Sequence, residues 1–302
     1  MPAVHTLTVP TPVLEATPMS AHPSQHSQPF GPINSAPTQY PELNFLLTGL
    51  TQRARAVLGA DFVGAYLHGA FAVGGTDRDS GCDFLIPTHE PLTDEQEAGL
   101  RALHQQLPTR PGHWSTALAG AYPALVQLRS LDGMGHPWLS VGPGHQQMQW
   151  TTTTNTEVVR WTLRERGITL VGPDPTTLVE PVPGPVLQQR MRGLLPRFGA
   201  HLAQRGGLET AGTQHYAVAT CARMLHTLAT GQITSPTAAL HWALGALDPR
   251  WHPLLTQVLT DRAHPRDPRP RPGSAAATAE FARYAQHLAS EAHPPAPEDG
   301  RP

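Results

Sequence analysis

The pattern of apolar residues changes once along this 302-residue chain, and that change constrains the fold more than any other feature. Up to residue 171, short apolar runs typical of buried strands alternate with segments of helical periodicity. From about residue 181 onward, only helical periodicity remains. The sequence therefore predicts an α/β part followed by an α-helical part.

Turn and cap residues set the bounds of the predicted elements in the first part. A helix begins at Pro41 and ends at Gly59, and the capping-box residues 93–96 open another helix that ends at Pro108. A third helix covers 156–166 and ends at Gly167. The predicted strands cover 62–67, 83–86, 116–129 with an interruption at Pro123, and 168–171.

The second part contains the remaining predicted helices. They cover 185–204, 214–230, 236–246, 250–262 and 274–292, and Gly231 has the position of a C-cap after the second of them. We predict one domain over 41–180 and a helical domain over 181–292. Residues 1–40 contain eight prolines and few apolar residues, which predicts a disordered tail, and we expect another at 293–302.

The charged residues exclude several classes of function. The chain has no lysine, so its 21 basic residues are all arginine, which excludes lysine Schiff-base chemistry and a Walker-type phosphate loop. The net charge of -2 does not favour a nucleic-acid partner. No apolar run reaches the roughly 20 residues that span a bilayer, and the N-terminus has no secretory pattern. Cys82 and Cys221 lie far apart in sequence, so we expect a cytoplasmic protein without a membrane partner.

Residues 64–87, GAYLHGAFAVGGTDRDSGCDFLIP, contain the most informative motif. A strand, a Gly-rich turn and a second strand with an aspartate resemble the signature of the nucleotidyltransferase superfamily. Segments 161–183, 216–255 and 281–289 extend the likeness, which is to the aminoglycoside 3''-adenylyltransferases, the streptomycin and spectinomycin resistance enzymes. The resemblance implies a mixed-sheet, polymerase β-like nucleotidyltransferase domain followed by a C-terminal helical bundle.

The same resemblance implies a reaction and its cofactors. Members of this family transfer AMP from ATP to a drug hydroxyl, with Mg2+ held by carboxylates and a further carboxylate as general base. An aminoglycoside-like small molecule would then bind in the cleft between the two domains. By the resemblance, the nucleotide would contact the turn at Gly69, Ala70 and Ser80 and the side chain of Arg223, and Asp83 would hold the metal.

Several positions depart from the family's motif. Ala70 replaces the serine of the Gly-Ser turn, Gly81 replaces the first aspartate of Asp-x-Asp, and Ala119 replaces the general-base glutamate. Pro236 and Thr213 replace a phosphate-contacting lysine and a drug-contacting aspartate. One aspartate cannot hold two divalent ions against a triphosphate. The sequence therefore predicts a degenerate active site with little or no turnover and no assignable catalytic residue.

Other interpretations of these residues remain open. Asp83 is either a metal ligand or a loop cap, and His68 at a strand end is either a packing residue or a chemical group. Asp77 and Asp79 lie in the same turn and provide carboxylates for a displaced metal site. Three functions follow: an impaired adenylyltransferase, a working one that uses displaced carboxylates, and a non-catalytic module that binds a ligand or a partner.

Overall fold

The structure is a computed structural model that describes residues 31–75, 81–107, 113–204, 207–263 and 269–291. The described residues from Pro32 onward belong to one compact unit. Ser80, Asp77 and Asp79 lie outside the described residues, as do most of the predicted N-terminal tail and the predicted tail at 293–302. The predicted division at residue 180 stays a prediction.

A mixed sheet forms the centre of the first part. The strands in the described residues are Ala65–His68 (β1), Cys82–Leu85 (β2), Leu118–Tyr122 (β3), Trp138–Val141 (β4), Gln149–Thr151 (β5) and Ile168–Val171 (β6). Their order across the sheet is β5-β4-β3-β2-β1-β6. Strands β2 and β3 are parallel, and every other neighbouring pair is antiparallel. The mixed sheet agrees with the predicted fold class.

Helices surround the sheet and make up the rest of the described chain. Those up to residue 178 are Pro41–Leu58 (α1), Gly69–Ala72 (α2), Asp94–Gln106 (α3), His113–Ala117 (α4), Leu125–Leu128 (α5), Glu157–Arg166 (α6) and Pro175–Leu178 (α7). Those after it are Gly184–Leu194 (α8), Phe198–Gln204 (α9), Ala211–Thr230 (α10), Pro236–Ala246 (α11), His252–Ala263 (α12) and Ser274–Glu291 (α13). Among them, no helix is long and apolar enough to span a membrane.

The helices after residue 184 share a hydrophobic core of their own. It includes Leu195, Leu255 and Phe281, all of which are fully buried. The sheet contributes a separate cluster around Tyr66 and Trp138. A third, smaller cluster joins the two parts, and its buried members are Trp161, Val182, Leu187 and Ile233. The site described below lies beside this third cluster.

Several predicted element boundaries are confirmed because local chemistry sets them. The Thr93 hydroxyl accepts a hydrogen bond from the Gln96 backbone N–H, and the Gln96 side chain accepts one from the Thr93 N–H, which completes the predicted capping box of α3. Gly231 ends α10 in the left-handed conformation, with φ 69°. Gly167 caps α6 as predicted.

Two predicted elements are wrong in extent, and two strands were not predicted. The strand over 116–129 is a helix, the short strand β3 and another helix, because Pro123 has no N–H to continue a strand. The helix over 185–204 is divided at Leu195–Arg197, where Pro196 lacks a donor. Strands β4 and β5 were not predicted, since β5 is a partly exposed edge strand without an apolar run.

The predicted tail also ends too late, because residues 34–40 contact the sheet part. The Asn34 backbone N–H donates to the Leu170 carbonyl at 2.7 Å. Thr38 and Asn44 exchange hydrogen bonds, including one of 2.7 Å between their side chains. The Tyr40 ring lies 4.8 Å from the Trp114 ring. The sequence did not predict this ordered segment, because polar and aromatic contacts of this kind do not require a periodic pattern of apolar residues.

Candidate functional site

A cavity of about 280 Å3 lies between one end of the sheet and the helices that follow. Residues from β1, β2 and β3 form one wall, α6 and the loop before it form another, and α10 with the loop after it forms a third. The lining residues are His68, Gly69, Val73, Asp83, Leu85, Ala119, Gly120, Ala121, Thr153, Thr154, Val158, Val159, Thr162, Arg223 and Ile233. The cavity therefore contains four predicted site residues: Gly69, Asp83, Ala119 and Arg223.

The sheet wall places two predicted site positions side by side. Asp83 on β2 is the direct partner of Ala119 on the parallel strand β3. Gly81 precedes β2 by one residue and shares the face of Asp83, because side chains two apart along a strand point the same way. A Cβ at Gly81 would lie 3.5 Å from the Ala117 carbonyl oxygen, an ordinary contact. A Cβ at Gly81 therefore meets no clash, although neither Gly81 nor Ala119 carries a side-chain oxygen.

The turn that begins α2 is shaped around the Asp83 carboxylate. Gly69 has φ 64°, which favours glycine, and a Cβ there would lie 2.2 Å from Asp83 Oδ2. The carboxylate therefore lies directly against the Gly69 backbone. Ala70 follows in α2, whose four residues make one turn of helix, and its side chain supplies no hydroxyl.

His68 lies at the end of β1 and pairs with Asp83 across the antiparallel ladder. Burial lowers the pKa of His68 below its usual 6.5, while the charge of Asp83 and the backbone of Phe84 act in the opposite direction. The imidazole is thus neutral at pH 7. It adds a hydrogen-bonding group to the cavity but no charge.

Arg223 extends into the cavity from the middle of α10. Its Nε donates a hydrogen bond to the Thr234 carbonyl at 3.1 Å, which fixes the side chain against the loop before α11. Burial lowers the pKa of Arg223, and the negative charge of Asp83 opposes that shift. An arginine remains protonated at neutral pH. Asp83 and Arg223 are therefore the charged groups that the described residues contribute to the lining.

The hydroxyl groups of the lining already have partners within the protein. Thr162 donates to the Val158 carbonyl at 2.7 Å, and Thr154 lies 2.9 Å from the Ser140 hydroxyl. Thr153 lies 3.0 Å from the Thr151 hydroxyl. The remaining side chains on these walls are mostly aliphatic. The lining of the cavity therefore combines two charged side chains with a mostly apolar surface.

Other predicted site residues do not line the cavity. Pro236 begins α11 and packs against the loop after α2, where a Cβ at Gly75 would lie 2.6 Å from the proline ring. Thr213 belongs to the capping box that opens α10, with its hydroxyl donating to the Thr210 carbonyl. Both residues have structural partners there, and neither side chain offers a charge.

The residues described do not fit a two-metal site. Mg2+ is bound by several oxygen ligands, and two ions beside a triphosphate require more than one carboxylate. Asp83 is the single carboxylate in the described lining, and no three His, Cys, Asp or Glu side chains among the described residues lie close enough to share a metal. We therefore derive no chemical step through Mg2+.

Sequence reasoning missed the α6 wall and the loop before it. Val158 and Thr162 are four residues apart, which places them on one face of α6 toward the cavity. This four-residue spacing was the sequence signal available for the α6 wall. A helix face that packs against a hydrophobic core shows the same spacing, so the signal did not indicate a binding site. Thr153 and Thr154 lie in a run of four threonines that has no recognisable motif.

Comparison with known proteins agrees with this arrangement. Residues 177–287 match the family described as aminoglycoside adenylyltransferase, C-terminal domain. A spectinomycin 9-adenylyltransferase from Campylobacter jejuni is 25% identical over 216 residues, which cover 67% of this chain and 79% of the relative. The crystal structure of spectinomycin adenyltransferase AAD(9) from Enterococcus faecialis, solved with ATP and spectinomycin, superposes with a TM-score of 0.62.

That structural match covers 82% of this chain and 98% of the other, at 14% sequence identity, and it shows the fold. The sequence matches show that residues 177–287 resemble the C-terminal domain of the aminoglycoside adenylyltransferases and that the chain is similar to a spectinomycin 9-adenylyltransferase.

Proposed function

We propose that this protein binds a small-molecule ligand in the cavity between its sheet and its C-terminal helices and has little or no adenylyltransferase activity. The relatives are enzymes named for spectinomycin, and the solved neighbour contains ATP and spectinomycin. An aminoglycoside-like amine is therefore the ligand class that the family suggests. On this proposal the protein binds its ligand where the resemblance places the family's cleft, but it does not transfer AMP to that ligand.

One observation carries this proposal, namely the pairing of Asp83 with Ala119 on neighbouring strands. The family resemblance places a metal ligand and a general base at these two positions, and here a methyl group stands beside the carboxylate. Loss of a general base costs about 10²–10⁴-fold in rate. Loss of a second metal carboxylate at Gly81 adds to that cost.

ATP is expected to bind weakly and without regard to Mg2+. Asp83 lies against the Gly69 turn, where the resemblance would place the phosphates, so its negative charge repels them unless a cation intervenes. Arg223 is the single cation that the described lining offers to a triphosphate. One guanidinium does not balance the charges of a triphosphate and of Asp83.

The experiment is an assay of pyrophosphate release with the full chain, MgATP and either spectinomycin or streptomycin. We expect no release above that of a heat-inactivated sample. Release that depends on both Mg2+ and the drug would contradict the proposal. That result would support a working enzyme with displaced carboxylates, and Asp77→Asn and Asp79→Asn would then identify them.

A further inference from the structure

The two charges of the cavity have opposite signs and come from different parts of the fold. Asp83 belongs to the sheet, and Arg223 belongs to a helix of the C-terminal part. They are close enough for the charge of Asp83 to affect the pKa of Arg223. A ligand that bridges them needs a cationic group and an anionic group in the same molecule.

The acidic end of the cavity suits an amine. The Asp83 carboxylate faces a neutral His68 and a Gly69 turn without a serine hydroxyl. An ammonium group placed there would form charge-assisted hydrogen bonds with the carboxylate. A phosphate or carboxylate at the same place would be repelled.

The basic end suits a carboxylate. The Nε of Arg223 is bonded to the Thr234 carbonyl, which orients the planar guanidinium on the cavity wall. Guanidinium groups recognise carboxylates through paired hydrogen bonds. Val73 and Ile233 also line the cavity and belong to one apolar cluster, so they offer apolar contact rather than further charge.

The cavity is also small. Its volume of about 280 Å3 is just below the range of roughly 300–1,000 Å3 typical of sites for drug-sized ligands. The hydroxyls of Thr154 and Thr162 are bonded within the protein, so the uncharged part of the lining favours an aliphatic group. A compact molecule fits these walls better than a nucleotide together with a drug.

We infer that the cavity binds a compact zwitterion, with its amine on Asp83, its carboxylate on Arg223 and its aliphatic side chain against the apolar lining, without a metal ion. This inference rests on the proposed function, because it assumes that the cavity binds a ligand and does not transfer a nucleotide. It narrows the ligand from any small molecule to a compact amine that also carries an anionic group.

The test is titration calorimetry of the full chain with leucine, with 3-methylbutylamine, which lacks the carboxylate, and with 4-methylpentanoate, which lacks the amine. Valine and phenylalanine extend the series in size. We expect at least one of the three amino acids to bind saturably in the presence of a chelator. If leucine is an amino acid that binds, the affinity of each truncated compound should be lower than that of leucine by a factor of about ten or more. The reason is that each truncated compound loses one charged hydrogen-bond pair.

Matched variants assign each end of the ligand. Asp83→Asn should weaken the amino acid and the amine about tenfold and leave the carboxylate compound unchanged, and Arg223→Gln should do the reverse. If Arg223→Gln folds poorly, Arg223→Lys takes its place in the test. This variant keeps the positive charge and should retain part of the affinity for the amino acid. The controls are Asp132→Asn and Arg166→Gln, both exposed and outside the lining, which should change nothing.

The inference is overturned if no amino acid binds saturably, or if the amine alone binds as tightly as the amino acid. Spectinomycin, an amine without a carboxylate, should bind more weakly than the best amino acid, and tighter binding would also contradict the inference. These outcomes are distinct from failure of the proposed function, which would appear as Mg2+-dependent pyrophosphate release.

Discussion

Two polar clusters of the protein differ in how many hydrogen bonds surround their charged groups. The Arg160 network, which consists of Arg160 and the groups that it contacts, surrounds a side chain with no exposed surface. The guanidinium donates to the carbonyls of Gln127 at 2.6 Å and Ser130 at 3.0 Å and to Asn155 Oδ1 at 2.6 Å. It also lies 5.3 Å from the Trp138 ring. Burial lowers its pKa to about 10, so it stays charged at neutral pH.

The cavity around Asp83 lacks this completeness. Its two charged side chains line a cavity, and the neighbouring positions Gly81 and Ala119 carry no polar side-chain atoms. A buried charge is tolerated when hydrogen bonds surround it, as at Arg160. The comparison teaches that the Arg160 guanidinium, which the fold buries, is surrounded by hydrogen-bond acceptors, whereas the described wall of the cavity has a single carboxylate and does not fit two-metal chemistry.

The largest expected effect is on the Arg160 network. Arg160→Leu removes the donors and leaves several buried carbonyls unsatisfied, so it should lower the free energy of unfolding by about 3–5 kcal/mol. Arg166→Leu, at an exposed position of the same helix, should change it by less than about 0.5 kcal/mol. Urea denaturation of both variants measures the difference. A loss below about 1 kcal/mol for Arg160→Leu would mean that the carbonyls find other partners.

The next effect concerns a second saturated pair beneath the sheet. His104 Nε2 lies 2.8 Å from the Tyr122 hydroxyl, and the His104 ring stacks on Phe84. Burial, together with the charge of Arg53, lowers the pKa of His104 from 6.5 to about 4. The unfolded chain therefore binds a proton at a higher pH than the folded chain does.

Its contribution to stability is complete above pH 6.5 and is lost as the pH falls toward 4. The loss amounts to roughly 3 kcal/mol, at 1.36 kcal/mol for each unit of pKa difference. Denaturation between pH 7 and 4 should show a shallower fall of stability in His104→Gln than in the native protein. Equal slopes in the two proteins would show that His104 is not the titrating group.

A smaller effect separates the two glycines of the cavity region. Gly69→Ala forces an alanine into a positive φ and onto the Asp83 carboxylate, so it should cost about 1–3 kcal/mol. Gly81→Ala meets only an ordinary contact and should change stability by about 1 kcal/mol or less in either direction. Thermal denaturation compares the two variants. Equal losses would mean that the turn is not shaped around Asp83.

Local signals in the sequence predicted most elements that are bounded by caps, such as the start of α3 at Thr93 and the end of α10 at Gly231. They did not predict β5, because an edge strand that is solvated on both faces shows no apolar pattern. No signal in the sequence singled out the buried Arg160, because three of its hydrogen-bond acceptors are backbone carbonyls of a segment about 30 residues earlier.

The candidate site was predicted unevenly for a similar reason. The resemblance drew attention to Asp83, Ala119 and Arg223, and the cavity brings these distant segments together. The Thr153–Thr154 loop and the α6 wall have no motif, because their role depends on tertiary contacts. Ala70 and Gly81 flank the site without lining it, and Ser80 lies outside the described residues.

The central claim is that the cavity lacks the carboxylates that couple ATP binding to Mg2+. The direct measurement is calorimetric titration of ATP, with and without Mg2+, into the native protein and into a triple variant with Ala70→Ser, Gly81→Asp and Ala119→Glu. We expect the native protein to bind ATP weakly and equally under both conditions, and the variant to gain affinity only when Mg2+ is present. Clear Mg2+-dependent affinity in the native protein would contradict the account.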